Sequence, residues 1–96
     1  MDIKYLVERS HKTAVEHGFW EKSQNKAEKL MLIVTEVSEA CEADRKGDDA
    51  GFKMEIADVF IRLGDLCGMY NIDIEKEIER KMEINDRRPY LHGKNY

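Results

Sequence analysis

The sequence has a single proline and six glycines in 96 residues, and only two cysteines. With so few breaking residues, long helices are the first expectation. Cys41 and Cys67 stand 26 positions apart, with no Cys-x-x-Cys pairing and no histidine near either. That spacing argues against a disulfide framework or a zinc site, and it reads as a cytosolic chain. Both cysteines fall in apolar helical patterns, where a buried thiol is expected. No apolar run approaches the ~20 residues of a membrane span. The opening Met1-Asp2-Ile3-Lys4 also lacks the apolar stretch of a signal peptide. A soluble, cytoplasmic protein with no membrane partner is expected. Positive charge is not in excess either: 16 Lys+Arg face 20 Asp+Glu, for a net charge of -4. This disfavours a nucleic-acid polymer as partner, since such binders carry a basic footprint. It leaves open one small polyanion held through a metal ion.

What the sequence does have is charge of both signs, 38% of residues against about 25% in an average soluble domain. The length fits a single domain, residues 1–96, burying roughly 65% of its unfolded surface. Four helical segments can be traced, and no strand-period segment. The first runs from about Asp2 to His17 on a stripe of Ile3, Leu6, Val7, Ser10 and Ala14, and Gly18 stops it. Trp20 lies in the connector that follows. Asn25 caps the second helix, with Glu28 placed for a capping-box contact, and this helix continues to about Lys46 and Gly47. Asp48 and Asp49 open the third, whose stripe is Phe52, Ile56, Val59, Phe60, Leu63 and Cys67. Tyr70-Asn71 ends it. Asp73 caps the fourth, lined by Ile74, Ile78 and Met82, and Pro89 forbids its continuation into an irregular tail. The class is all-α, with the second and third helices predicted to form an antiparallel hairpin.

Two acid pairs stand out on that hairpin. Glu36 and Glu39 are spaced i, i+3 on the second helix, and Glu55 and Asp58 likewise on the third. Among so many acids the spacing alone means little, and a solvated face is its ordinary explanation. Their setting is more telling. Leu32, Glu36, Glu39 and Ala43 form one line at about 100° per residue, beside an apolar arc of Leu30, Ile33, Val37 and Ala40. Glu55 and Asp58 border the apolar arc of the third helix in the same way. Antiparallel packing brings the pairs together if the turn sets the matching register. Four converging carboxylates cannot all stay ionised without a counter-charge. A hard cation such as Mg²⁺ would supply it and keep positions open for phosphate oxygens and water. Internal pairing with Arg62 is the competing structural answer.

The fourth helix adds Lys81 and Asn85, spaced i, i+4, then Arg87 and Arg88. These cations could serve the helix dipole alone; with Asn85 they could also contact a phosphorylated ligand. Trp20 could pack against a neighbouring helix or subunit. Asp65 reads as a surface partner for Arg62, or as support for the metal residues. His11, His17 and His92 share no ligand spacing.

At these residues the chain resembles the MazG-like nucleoside triphosphate pyrophosphohydrolases of the all-α NTP pyrophosphatase superfamily. The resemblance rests on Glu36-x-x-Glu39, a spacer, then Glu55-x-x-Asp58. Around them stand Lys29 to Glu36, Glu55 to Leu63, and the basic segment Lys81 to Tyr90 with its His92-Gly93-Lys94 tail. It spans roughly residues 18 to 96. It implies a four-helix MazG-like bundle completed by oligomerisation into a homodimer or homotetramer. It further implies hydrolysis of a (deoxy)nucleoside triphosphate to monophosphate and pyrophosphate, as nucleotide-pool housekeeping. Glu36, Glu39, Glu55 and Asp58 would hold Mg²⁺, with Mn²⁺ as a substitute. Glu36 or Glu39 would act on the attacking water. Lys81, Asn85, Arg87, Arg88 and Trp20 would bind substrate. The alternative is a non-catalytic helical module of the same fold that binds nucleotide or a protein.

Overall fold

The computed structural model describes residues 1–96 and is all-helical: α1 (Ile3–Glu16), α2 (Lys26–Arg45), α3 (Asp49–Met69) and α4 (Ile74–Asp86). None of these helices is long and apolar enough to cross a membrane. Each starts at a residue whose side chain takes up a free amide of the first turn. Asp2, Asn25, Asp48 and Asp73 accept from the amides of Tyr5, Glu28, Gly51 and Lys76. At α2 the capping box is relayed and not direct. The Glu28 carboxylate accepts from the Ser23 hydroxyl at 2.9 Å, and that same hydroxyl oxygen accepts from the Asn25 amide at 3.2 Å. Gly18 and Gly47 follow α1 and α2 at φ of 82° and 72°, left-handed values at which a side chain would clash with its own backbone.

The helices form a layer with α3 at its centre. The short Lys46–Asp48 turn folds α3 back antiparallel along α2, and α1 packs on the other side of α3. The α1–α3 crossing is close because two glycines, Gly64 and Gly68, present a bare backbone to it. A Cβ placed on Gly64 would sit 3.2 Å from the Ser10 hydroxyl, and one on Gly68 only 2.5 Å from the Cβ of His11. Small residues therefore make up much of the interior. The buried set is Ser10, Ala14, Trp20, Ile33, Glu36, Ala40, Gly64 and Cys67.

The structure refines two sequence expectations here. Within one chain the fourth helix does not join the other three in a bundle; it makes slight contact, with α1. Eight of its 13 residues are charged, and Ile78, Met82 and Ile84 remain substantially exposed. That apolar strip is too thin to bury the helix against a neighbour. The arc of Leu30, Ile33, Val37 and Ala40 is also divided. Ile33 and Ala40 turn inward, whereas Leu30 and Val37 are 45% and 51% exposed. The tail past Pro89 is a single irregular turn over Tyr90–Gly93, with Leu91 and His92 at positive φ.

The close crossing yields a test. Gly68→Ala would ordinarily favour a helix, but its methyl meets the His11 Cβ, which is fixed to the backbone of α1. We expect the variant to be less stable by about 1–3 kcal/mol, the usual cost of overpacking. Urea unfolding measures it, and a midpoint equal to or above that of the parent would contradict the close packing.

Candidate functional site

The turn after α2 sets the register of the hairpin, and the register decides which acids meet. Glu39 and Glu55 each lie eight residues from Gly47, on opposite sides of it. In an antiparallel pair such residues face one another. Carboxylate oxygens of Glu36, Glu39 and Glu55 do converge, all within 4.8 Å of one another. Asp58 is not part of that group of three. It stands on the exposed flank of α3 and lines a groove of about 220 Å³ together with Glu36, Arg62 and Asp65. Ser10, Thr13 and Ala14 of α1 and Phe19 of the connector close the groove from the other side.

Each acid in the seam meets a different environment. Glu36 is buried, and the Arg62 guanidinium donates from Nε to its Oε1 at 2.8 Å. This hydrogen bond and the attached positive charge hold the Glu36 carboxyl below its usual value against the opposing effect of burial. Glu39 is exposed and is solvated. Glu55 has neither remedy. Its Oε2 is shut off from solvent with no hydrogen-bond partner. Burial first, then the neighbouring Glu39 carboxylate, then Glu36 and Asp58, push the Glu55 carboxyl up to about 7. Near pH 7 the Glu55 carboxyl is therefore about half protonated, where an isolated carboxylate would be fully ionised.

This is the condition in which a cation fits. The donors are all carboxylate oxygens, the hard set that Mg²⁺ prefers. They come from two rigid helices, and one oxygen has no partner. A divalent ion would give Glu55 Oε2 its missing contact and let the carboxyl ionise. Glu36, Glu39 and Glu55 are the residues placed to hold such an ion, with Asp58 one helical turn along at the mouth of the groove.

No family model, curated protein or solved structure matches this chain. The reading of the site therefore rests on its own geometry and on the motif spacing.

The remaining candidates are dispersed. Lys81, Arg87 and Arg88 are exposed on or just past α4, and no residue of α4 lines the acid groove. Asn85 is partly buried, with its Oδ1 shut from solvent and unpartnered. Trp20 is only 7% exposed and is packed, not presented as an open platform. His11 and Tyr70 meet it edge-on at ring-centroid distances of 6.2 and 6.0 Å, and the Lys29 ammonium lies 4.7 Å from its ring centre.

Sequence reasoning missed two couplings. Arg62 pairs across the seam with Glu36, not with Asp58 or Asp65. Asp65 instead accepts from Trp20 Nε1 at 2.8 Å and shares its Oδ1 with His11 Nδ1 at 2.9 Å. This joins α1, the connector and α3 behind the groove. The signal for Arg62 was present: it lies on the same face as Asp58, one turn further from the Gly47 turn. Nothing local to His11 or Trp20 points to Asp65, because partners 54 and 45 residues away leave no spacing pattern.

The raised Glu55 carboxyl gives a pH dependence. Between pH 4.5, its ordinary value, and about 7, the folded chain keeps a proton there that the unfolded chain has released. Stability of the metal-free protein therefore falls as pH rises across that window, and the loss is complete above it. Glu55→Gln has no carboxyl to ionise. The difference in melting temperature, variant minus parent, should move in the variant's favour from pH 4.5 to pH 7.5 in chelator. A difference that does not change with pH would show that Glu55 is not strained.

Proposed function

We propose that this chain is a MazG-like, Mg²⁺-dependent nucleoside triphosphate pyrophosphohydrolase that acts as a homo-oligomer in the cytoplasm. The observation that carries the reading is the convergence of Glu36, Glu39 and Glu55 in a helical seam with a buried, unpartnered carboxylate oxygen on Glu55. The two motifs supplying those acids, Glu36-x-x-Glu39 and Glu55-x-x-Asp58, are the ones on which the family resemblance rests. A bound Mg²⁺ would supply positive charge for the phosphate oxygens of a nucleotide. Mn²⁺, with similar ligand preferences, is the expected substitute.

The chain's own groups divide the remaining work. Glu39 is the solvated acid of the cluster, so it has a lone pair free to take a hydrogen bond from water and orient it towards a phosphorus. Glu36 is held ionised by Arg62, which keeps one negative ligand in place at every physiological pH. Asp58 lines the groove beside it and adds a fourth carboxylate at the open end. Water adds to the α-phosphoryl group, the bond to the bridging oxygen breaks, and the products are a nucleoside monophosphate and pyrophosphate. Lys81, Asn85, Arg87 and Arg88 are the groups proposed to meet the nucleotide. Because α4 stands apart from the groove in one chain, this contact requires α4 to move or to come from a second copy. The proposed role is housekeeping of the nucleotide pool.

Two measurements test the reading. The first is pyrophosphate release from standard and modified dNTPs and NTPs, with Mg²⁺ and with chelator. Turnover should require the metal, and Glu39→Gln should lower kcat at least 100-fold while leaving the helical circular dichroism unchanged. Near-normal turnover in that variant would mean the site is misplaced. The second is thermal unfolding with added Mg²⁺, which should raise the melting temperature of the parent but not of Glu55→Gln. No turnover of any nucleotide, together with no thermal response to Mg²⁺, would sink the hydrolase reading and favour a non-catalytic module.

A further inference from the structure

The groove beside the acids has a charge problem of its own. Its charged lining is Glu36, Asp58, Arg62 and Asp65, three carboxylates against one cation. Asp65 is already committed, accepting from Trp20 Nε1 and meeting His11 Nδ1. A polyphosphate entering the groove meets acids from both helices of the hairpin, and the basic residues of α4 do not line it. Arg62 is the one positive side chain that does.

The way Arg62 is held matters as much as its charge. A guanidinium carries five N–H donors in a flat fork. The hydrogen bond to Glu36 uses Nε, the nitrogen nearest the side-chain stem, at 2.8 Å. Glu36 is the only acid with which Arg62 pairs, and no other residue takes a hydrogen bond from its terminal nitrogens. The side chain is 32% exposed, so part of it meets the water of the groove. Phe19, on the groove's other wall, puts its ring centre 5.9 Å from the guanidinium carbon, within the range of a cation–π contact. The stem end of the guanidinium is thus fixed by an acid and its flat face lies near a ring, while donors remain unspent.

We propose that Arg62 is a phosphate-binding residue of this groove: Nε stays on Glu36 while the terminal nitrogens donate to oxygens of a polyphosphate ligand. Arginine suits that double task because its fork can serve two acceptors at once, whereas a lysine ammonium is a single point charge. The inference rests on the nucleotide reading above and deepens it. It gives the phosphates a cation inside the groove, with no movement of α4 and no second chain required.

The test is calorimetric titration of the full chain, first with Mg²⁺ alone and then with inorganic triphosphate in excess Mg²⁺. Arg62→Lys keeps a counter-charge for Glu36, so it removes the fork without leaving a buried acid unpaired. It should bind Mg²⁺ within about 3-fold of the parent yet hold triphosphate about 10-fold more weakly, the loss expected for a hydrogen bond to a charged group. A second readout uses the parent chain and stands even if the variant fails to fold. Modification by phenylglyoxal, followed by peptide mass spectrometry, should slow at Arg62 when triphosphate and Mg²⁺ are both present, and not with Mg²⁺ alone. Arg45, exposed near the end of α2, should react equally in both. A parent that binds Mg²⁺ but shows no protection of Arg62, or an Arg62→Lys chain that holds triphosphate as tightly as the parent, would overturn this role and leave the reading of the acids standing. A parent that binds neither Mg²⁺ nor triphosphate would overturn both.

Discussion

Crowded negative charge in the α2–α3 seam is the constraint to which the rest of the molecule answers. Three carboxylates within 4.8 Å would repel strongly if all were ionised in a partly dry space. The chain resolves the conflict residue by residue. Glu36, the most buried, takes the guanidinium of Arg62. Glu39 stays in water. Glu55 receives neither, and in the metal-free chain its proton is the only relief left. Pairing one buried acid with arginine while leaving its neighbour unpaired does little for stability, because desolvation consumes most of what the ion pair returns. The arrangement leaves the proposed site one positive charge short.

That use of Arg62 has consequences behind the groove. With its guanidinium turned across the seam, Asp65 is left to other partners, and it accepts from both His11 and Trp20. The Trp20 indole then fixes the connector between α1 and α2, with help from Tyr70, whose hydroxyl donates to the Gln24 carbonyl at 2.6 Å. His11 in turn sits directly over Gly68. The close α1–α3 crossing, the buried tryptophan and the walls of the acid groove thus form one connected set of contacts. A change at Gly68 would be felt at Asp65 and so at the groove.

How much of this could be read from the sequence depended on range. Helix starts were legible because capping is local: Asn25, Asp48 and Asp73 each serve an amide three residues on. The meeting of Glu39 with Glu55 was legible because a short turn makes positions equidistant from Gly47 face one another. The division of the α2 apolar residues between two faces was not. Leu30, Ile33, Val37 and Ala40 form a plausible single arc, and only the packing of α3 decides that Ile33 and Ala40 are inside. The detachment of α4 was hidden for the opposite reason. Ile74, Ile78 and Met82 make a periodic stripe, yet periodicity says nothing about whether a neighbour presents enough apolar surface to receive it.

The same division explains how so small an interior can be enough. Eight residues are buried, and none of the large side chains is fully enclosed. For a chain of this length a single core is marginal in any case, and here part of the apolar material points away from it. If association covers that outward part, folding and assembly become linked, and stability depends on protein concentration as well as on contacts within one chain. The helices that carry much of this outward apolar material, α2 and α3, are also the helices that carry the acids. Stiffening them by association would hold the seam's geometry fixed without placing any new group in it, and the proposed metal site, assembled from two helices, would need that rigidity more than another ligand.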